Sequence, residues 1–282
     1  MESNSITPKS GYLNNDFKLF HIADKSEQTF DFHYHEFNKI IIFLSGNVTY
    51  LIEGKSYKLK PWDILLINNH DVHKPLIAPN ETYDRIILWA DSGFIEAHNY
   101  ENCDLTTCFK LADTKSFNLI RIASHLQDKL KEIILSLDHS FHSNDFGSKL
   151  LSNAFFIELL VYINRVHLEN TYEYDQTTSE SDQQIDDILL HIKTNLTCDL
   201  SVESIAKEFY LSKHYLMHKF KNKTGYTLHN YIVKKRLFSA VDLMKEGTPS
   251  SKAAALCGFH DYSSFLRSFK KAFHQTPREF LK

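Results

Sequence analysis

The 282-residue sequence has few cysteines, no long apolar run and a net charge of only −3. Its four cysteines form neither a C-x-x-C pair nor an extracellular disulfide framework, so we expect reduced thiols in a cytoplasmic protein. A redox pair of Cys103 and Cys108 is the alternative. No apolar run approaches the ~20 residues of a membrane helix, and the polar N-terminus does not have the pattern of a signal peptide.

The small net charge conceals an uneven distribution along the chain. Residues 1–181 contain 16 Lys and Arg against 25 Asp and Glu, whereas residues 182–282 contain 16 against 10. An acidic part followed by a basic part is typical of a domain that does not bind DNA joined to one that does.

Residues 201–225 have the pattern of two short helices around a tight turn. Apolar residues at i, i+3, i+4 and i+7 predict the first helix, and Ser212 is a suitable N-cap for the second, which Gly225 would end. The second helix would face the core with Tyr215, Leu216 and Phe220, and solvent with His214, Met217, His218, Lys219 and Lys221. This is the helix-turn-helix pattern, in which the second helix lies in the DNA major groove.

The pattern recurs in residues 251–274, 49 residues further on when Phe220 is aligned with Phe269. An Ala-rich helix and the N-cap candidate Asp261 precede a helix with phenylalanines at i, i+4 and i+8. Between the copies, residues 227–246 are continuously amphipathic and end before Gly247. We therefore predict an all-α C-terminal domain in which one long helix joins two helix-turn-helix units.

The N-terminal part changes from strands to helices. Short β-rich runs from residue 30 to about residue 90 favour a small antiparallel barrel or jelly roll, with a hairpin at Gly54. Residues 1–29 are interpreted as an arm over this domain or as a frayed leader. Residues 116–168 are predicted to form two antiparallel helices with enough apolar surface for a dimer interface; packing on their own barrel is the alternative. The polar residues 169–183 are predicted to be a linker.

These residues resemble the AraC/XylS transcription regulators. Over residues 185–282 the resemblance is carried by Ile205-Ala206, Leu211-Ser212, Tyr215-Leu216, Phe220-Lys221, Thr224-Gly225, Gly258-Phe259, Phe265, Phe269 and Pro277-Arg278-Glu279-Phe280. The barrel segment resembles their cupin-like sensor domain through His33-x-His35, Ser45-Gly46, Lys60-Pro61-Trp62-Asp63 and His73. Two departures are Ala253, where the family usually has Ile, and His274, where it usually has the stop Gly.

The resemblance implies the complete architecture: an arm and cupin-like barrel (1–115), a helical dimerisation hairpin (116–168), a linker (169–183) and a double helix-turn-helix domain (184–282). It implies a ligand-responsive activator that binds double-stranded DNA as a homodimer, has RNA polymerase as a partner, and is not an enzyme. The family's base-contacting positions match His214, Met217, His218, Ser263, Ser264 and Arg267. Phosphate contacts are expected from Lys213, Lys219, Lys221, Lys223, Lys270 and Lys271.

Three histidines of the barrel have a metal-like spacing. His33 and His35 share one face of a predicted strand, and His73 could approach from a neighbouring strand, so the imidazoles could hold Zn²⁺ or Fe²⁺. However, Lys39 stands where metal-binding cupins usually carry a Glu, and its ammonium repels a cation. We therefore expect no metal or other cofactor, and a polar pocket lining or a structural role for the histidines instead.

Residue parity identifies the candidate pocket. His33, His35 and Lys39 share one side of the first strand, as do Tyr83, Arg85 and Trp89 on the last. Together with His73 they suit a polar, hydroxyl-rich molecule such as a sugar, because a ring stacks on a sugar face while charged donors hold hydroxyls. The alternatives are an ordinary core at Tyr83 and Trp89, a cupin metalloenzyme fused to a DNA-binding tail, and a helical scaffold without DNA contact.

Overall fold

The computed structural model describes residues 11–25, 30–168, 179–180 and 182–281. The chain divides into two compact units, with the division between residues 180 and 182. No helix in the described ranges is long and apolar enough to cross a membrane. The predicted fold class, a β domain with two helices followed by an all-α double helix-turn-helix domain, is confirmed.

Two antiparallel sheets form the β domain. The first has the strand order β1-β7-β2-β5-β8 and the second the order β6-β3-β4-β9. The strands are β1 (Phe17–Asp24), β2 (Asn38–Ser45), β3 (Val48–Ile52), β4 (Lys55–Lys58), β5 (Ile64–Ile67), β6 (His73–Ile77), β7 (Tyr83–Ala90), β8 (Leu119–Ile120) and β9 (Ser179–Glu180).

Strand β2 is apolar on both faces, and the packing explains why. Ile40 and Ile42 belong to a cluster with residues of the helices, whereas Ile41 and Phe43 belong to a second cluster with β3 and β4. Successive side chains of a strand point to opposite faces, so a central strand between two apolar layers needs an unbroken apolar run. The inner face therefore carries the odd-numbered residues of β2.

Four helices accompany the sheets: α1 (Ser92–Ala97), α2 (Thr107–Lys115), α3 (Ser124–His142) and α4 (Ser148–Leu168). The apolar faces of α3 and α4 pack on the first sheet. This agrees with the alternative prediction that the two helices pack on their own barrel. Both helices nevertheless leave leucines exposed to solvent, namely Leu135, Leu150 and Leu151.

Two N-terminal predictions need correction. Helical structure was expected from residue 117, but Leu119 and Ile120 form β8 and pair with Leu65 and Ile64. The Asn118 side chain donates to the carbonyl of Leu66 at 2.8 Å, which holds this segment on the sheet edge. Residues 17–24 are not a frayed leader, because β1 pairs with β7 along its full length. Residues 1–10 of the arm lie outside the described residues.

The predicted linker also differs at its end. Residues 169–178 and 181 lie outside the described residues, but Ser179 and Glu180 pair with Tyr57 and Ser56 of β4. Gln183, the last residue of the predicted linker, already begins a helix.

The second unit contains seven helices in its described residues: α5 (Gln183–Thr194), α6 (Val202–Glu208), α7 (Lys213–Thr224), α8 (Leu228–Lys245), α9 (Ser250–Leu256), α10 (Tyr262–Phe273) and α11 (Pro277–Phe280). Ser212 and Asp261 cap α7 and α10 by accepting from the backbone N–H of Tyr215 and Ser264. Gly225 ends α7 at φ 78°, and His274 ends α10 at φ 58°. His274 is therefore in the left-handed region that disfavours side chains.

A buried ion pair joins the turn before β5 to the residue after β8. Arg121 donates to both carboxylate oxygens of Asp63, at 2.9 and 2.8 Å. Replacing Arg121 with Met should destabilise the β domain by about 3–5 kcal/mol, because the Asp63 carboxylate would stay buried without its partner. Urea unfolding followed by tryptophan fluorescence measures this loss in the correct domain, since the two tryptophans, Trp62 and Trp89, both lie there.

The control is Lys129→Met, which removes the solvent-accessible pairs of Lys129 with Glu132 and Glu158. That variant should lose less than about 1 kcal/mol, because exposed ion pairs are screened by water. Similar losses in the two variants would show that the buried pair has no special role in stability.

Candidate functional site

Helix α7 presents its predicted base-reading residues to solvent. Leu216 and Phe220 are fully buried and anchor the helix. His214, Met217 and His218 are exposed and, at spacings of three and four residues, lie on one helix face. The rings of His214 and His218 are parallel, with their centroids 6.3 Å apart. The face they form is polar and open, as contact with base edges requires.

Tyr215 is not an inward residue as predicted. Its side chain is 49% exposed, and the Lys219 amine lies 5.4 Å from the centre of its ring. In α7 the buried positions are Leu216, Phe220 and Thr224, four residues apart, so the neighbouring Tyr215 falls at the edge of the buried stripe.

The lysines of α7 differ in their contacts. Lys213 forms an ion pair with Glu203 of α6. Lys219 is 3.0 Å from an Asp182 carboxylate oxygen and donates to the Gln184 side chain at 2.8 Å. Within the described ranges no ion pair involves Lys221 or Lys223. These two lysines are therefore the better placed for phosphate contacts.

Helix α10 repeats this arrangement. Phe265, Phe269 and Phe273 are buried, while Ser263 and Arg267 are exposed. Arg267 donates to the half-buried Ser264 hydroxyl at 3.1 Å, which holds the guanidinium beside the first turn of the helix. Lys270 and Lys271 are exposed in the last turn. All six predicted base-contacting residues thus lie on α7 and α10.

Both recognition helices are anchored to α8. The Phe220 ring of α7 contacts Tyr231 at a centroid distance of 5.4 Å, and the Phe273 ring of α10 contacts Phe238 at 5.7 Å. Arg236, between these two contacts, donates to the carbonyls of Leu196 and Cys198 at 2.7 and 2.8 Å. A single helix therefore sets the spacing between the two units.

Gly258 allows a close approach at the centre of this domain. A Cβ atom there would lie 2.3 Å from the Leu196 carbonyl oxygen, and the residue has φ +84°. Since no other residue tolerates both conditions, the glycine is needed where the turn after α9 meets the end of α5.

The β domain brings the predicted pocket residues together. His33 and His73 exchange two backbone hydrogen bonds, of 3.1 and 3.0 Å. The Lys39 amine lies 3.4 Å from Nε2 of both His35 and His73. His33 and His35 precede β2, which begins at residue 38, so their joint orientation comes from pairing with β6 and not from a shared strand as predicted.

Burial changes the acid–base properties of this cluster. It lowers the pKa of Lys39 to about 7, and the nearby Arg85 guanidinium lowers it further in the same direction. Burial and then Lys39 hold the pKa of His73 well below its usual value. Nδ1 of His73 is 2.9 Å from the Asp71 carbonyl, so the neutral ring donates there and turns its Nε2 lone pair toward Lys39.

The three histidines form a group that could hold a metal ion, since their ligand atoms all lie within 4.8 Å of one another. Lys39 lies against two of these atoms and competes for their lone pairs. A metal would have to displace this amine, so the absence of a metal stays a prediction.

The other side of the pocket carries Arg85 and Trp89 of β7. Arg85 forms an ion pair with Asp24, donates to the Tyr83 carbonyl at 2.8 Å and lies 4.1 Å from the Tyr83 ring centre. The Trp89 ring stacks on Phe37 at a centroid distance of 4.5 Å. Tyr83 and Arg85 are buried, whereas Trp89 is half-buried.

Strand β1 supplies pocket neighbours that the sequence interpretation missed. Besides Asp24, Phe20 contacts Trp89 at a ring distance of 4.8 Å, and Gly11 lies against the Trp89 ring. The alternation of apolar residues in residues 17–22 was the available indication of a strand, but it was obscured by the polar residues on either side.

Comparison with known proteins assigns both domains. Residues 19–86 match the family described as AraC-like ligand binding domain, and residues 205–282 match the family described as helix-turn-helix domain. The chain is similar to the HTH-type transcriptional activator RhaS of Mannheimia succiniciproducens, with 26% identity over 256 residues and 90% of each chain covered. It is also similar to the activator RhaR of Pectobacterium atrosepticum, with 22% identity and coverage of 94% and 91%.

Among solved structures, ToxT from Vibrio cholerae aligns with 16% identity, a TM-score of 0.39 and coverage of 95% and 97%. The matched domains define a transcription regulator with separate ligand-binding and DNA-binding parts, and not an enzyme. The chain therefore combines an AraC-like ligand binding domain with a helix-turn-helix domain, and the relatives named above are transcriptional activators.

The Lys219 contacts generate a prediction about DNA affinity. Replacing Asp182 with Asn should free the Lys219 amine for phosphate, and so tighten binding to duplex DNA of random sequence by up to about fivefold, the range of a weak ion pair. Fluorescence anisotropy at fixed salt measures this affinity. The control Asp187→Asn removes the same charge at an exposed residue of α5, whose carboxylate accepts from the Gln183 side chain at 2.8 Å. Equal effects would show that net charge alone matters.

Proposed function

We propose that this protein is a ligand-responsive, sequence-specific activator of transcription whose β domain binds a small polar metabolite such as a sugar. The observation that carries the DNA-binding part is the anchoring of α7 and α10 to the same helix α8, each with an exposed polar face. The ligand-binding part is supported by the inner-face cluster around Lys39, Arg85 and Trp89. The names of the relatives, which are transcriptional activators, support activation. RNA polymerase is the partner that such an activator would recruit.

The two recognition helices would enter successive major grooves on one side of the duplex, about 34 Å apart. His214, Met217 and His218 would read one segment, and Ser263, Ser264 and Arg267 the other. Arg267 is expected to be the strongest determinant, because a guanidinium pairs with both acceptors of guanine, whereas His218 can bond only one and Met217 can contact a thymine methyl. The lysines would position the helices on the phosphates.

Selection from a randomised duplex library, followed by sequencing, tests this division. Arg267→Ala should lose discrimination at one base position, by about 1–3 kcal/mol, because it removes a bidentate base contact. Lys270→Ala, three residues along the same helix, should weaken all sequences alike and reduce the dependence of log K on log[salt] by about 0.9. Loss of the same base preference in both variants would contradict these roles.

We also propose that α3 and α4 form a homodimer interface. Leu150 and Leu151 are 75% and 50% exposed, and Leu135 is 66% exposed, although each of these helices already buries one face on its own sheet. Large apolar side chains that stay exposed on packed helices favour association with a partner. A second copy is the simplest partner, because a two-fold contact places the same residues on both sides.

Replacing Leu150 and Leu151 with Glu should convert dimers to monomers, because two buried charges would face each other across the interface. Sedimentation velocity of the full chain over a concentration series measures the change. Leu190→Glu is the matched control, since Leu190 of α5 is 53% exposed and lies in the other unit. A wild-type chain that stays monomeric at all concentrations would refute the dimer.

A further inference from the structure

Lys39 is a buried amine without a countercharge. Lys39 is only 6% exposed, and its position in β2 is opposite Trp89 of β7 and Ile67 of β5. The amine contacts Nε2 of His35 and of His73. In the part of the chain that the structure describes, no carboxylate forms a hydrogen bond or ion pair with it. Burying an amine in this way is unfavourable unless a partner compensates its charge.

Two further donors on β7 lack an acceptor. The Nε atom of Arg85 and the Nε1 atom of Trp89 are both buried, and neither has a hydrogen-bond partner among the described residues. Arg85 does pair with Asp24, but through its terminal nitrogens. Guanidinium Nε and indole Nε1 can only donate. Besides the Lys39 amine, which is hydrogen-bonded to imidazoles, the same sheet face therefore holds two buried N–H groups without an acceptor among the described residues.

The chemistry of the missing partner follows from this imbalance. A hydroxyl group brings a donor with each acceptor, whereas a carboxylate brings acceptors only and a negative charge. The aromatic rings of Phe20, Phe37 and Trp89 beside the donors suit a ring or a flat chain. We propose that the inner-face site binds a small molecule that carries a carboxylate, with Lys39 as its main charge partner and Arg85 and Trp89 as donors.

This inference rests on the proposed function, because it names the chemical class of the effector that the β domain would sense. It narrows the polar metabolite to an acid, for example a sugar acid or an aromatic acid. It also gives Lys39 a positive role: the residue that disfavours a metal among the histidines is the one that attracts an anion.

Matched probes test the charge requirement directly. Benzoate is compared with benzamide, and D-glucuronate with D-glucose, by thermal shift and calorimetry on the full chain at constant ionic strength. At least one carboxylate should raise the melting temperature in a saturable manner, because it binds only the folded state, while its neutral partner does not. The proposal would be overturned if neither carboxylate bound, or if the neutral partners bound equally well.

Variants identify the donors. Lys39→Met should weaken carboxylate binding at least tenfold, because it removes the main charge partner, and Trp89→Phe should weaken it several-fold while keeping a ring. Lys58→Met, at an exposed lysine of β4, is the control and should bind as the wild type does. Because Met fills a similar volume in an apolar site, Lys39→Met is expected to fold, which its tryptophan fluorescence verifies. Unchanged affinity in Lys39→Met would overturn the proposal.

A parallel DNA titration separates this inference from the function on which it rests. If D-glucose alters DNA affinity and the carboxylates do not, ligand-responsive regulation stands and the acid effector is wrong. If a carboxylate binds through Lys39 but leaves DNA affinity unchanged, the site stands and ligand-responsive regulation is wrong.

Discussion

The DNA-binding domain depends on the packing of aromatic side chains along α8. Phe220 and Phe273 come from the two recognition helices and meet Tyr231 and Phe238 on this one helix. A recognition helix can read bases only if its outward face is held at a defined distance and angle from the second reader. The exposed residues are the proposed base contacts, and the buried rings determine where those residues are presented.

Buried packing also defines the proposed ligand site of the β domain. Its central strand β2 is buried on both faces, so a side chain on the inner face of this strand is removed from water whatever its chemistry. Lys39 and Arg85 lie on that face, and only Arg85 has a carboxylate partner in the described structure. Buried polar groups are normally satisfied, and those that are not tend to mark functional sites. In this domain two such atoms, Nε of Arg85 and Nε1 of Trp89, lie on the same sheet face as Lys39.

The local patterns of the C-terminal half were sufficient to predict it. Helix caps such as Ser212, Asp261 and Gly225 depend only on the local backbone and the adjacent helical turn. They can therefore be predicted without knowledge of the tertiary structure. The failures occurred where long-range contacts prevail. Leu119 and Ile120 have a sequence compatible with a helix, but the open edge of β5 recruits them as a strand. Tyr215 has a large aromatic side chain typical of a core, yet it lies outside the face of α7 that packs against the rest of the domain.

Residue parity alone placed Lys39 and the β7 residues on a common face, because the two-residue period of a strand is a local property. What only the tertiary structure decided is which atoms on that face meet. The Lys39 amine contacts two histidines that do not belong to its strand. Arg85 has its carboxylate partner in Asp24 of β1, 61 residues earlier in the chain. The sequence by itself determined the two domains, the capped helices and the chemistry of the side chains, since these depend on near neighbours. The pairing of charges, which leaves the buried Lys39 amine without a carboxylate partner among the described residues, depends on distant segments brought together by the sheets.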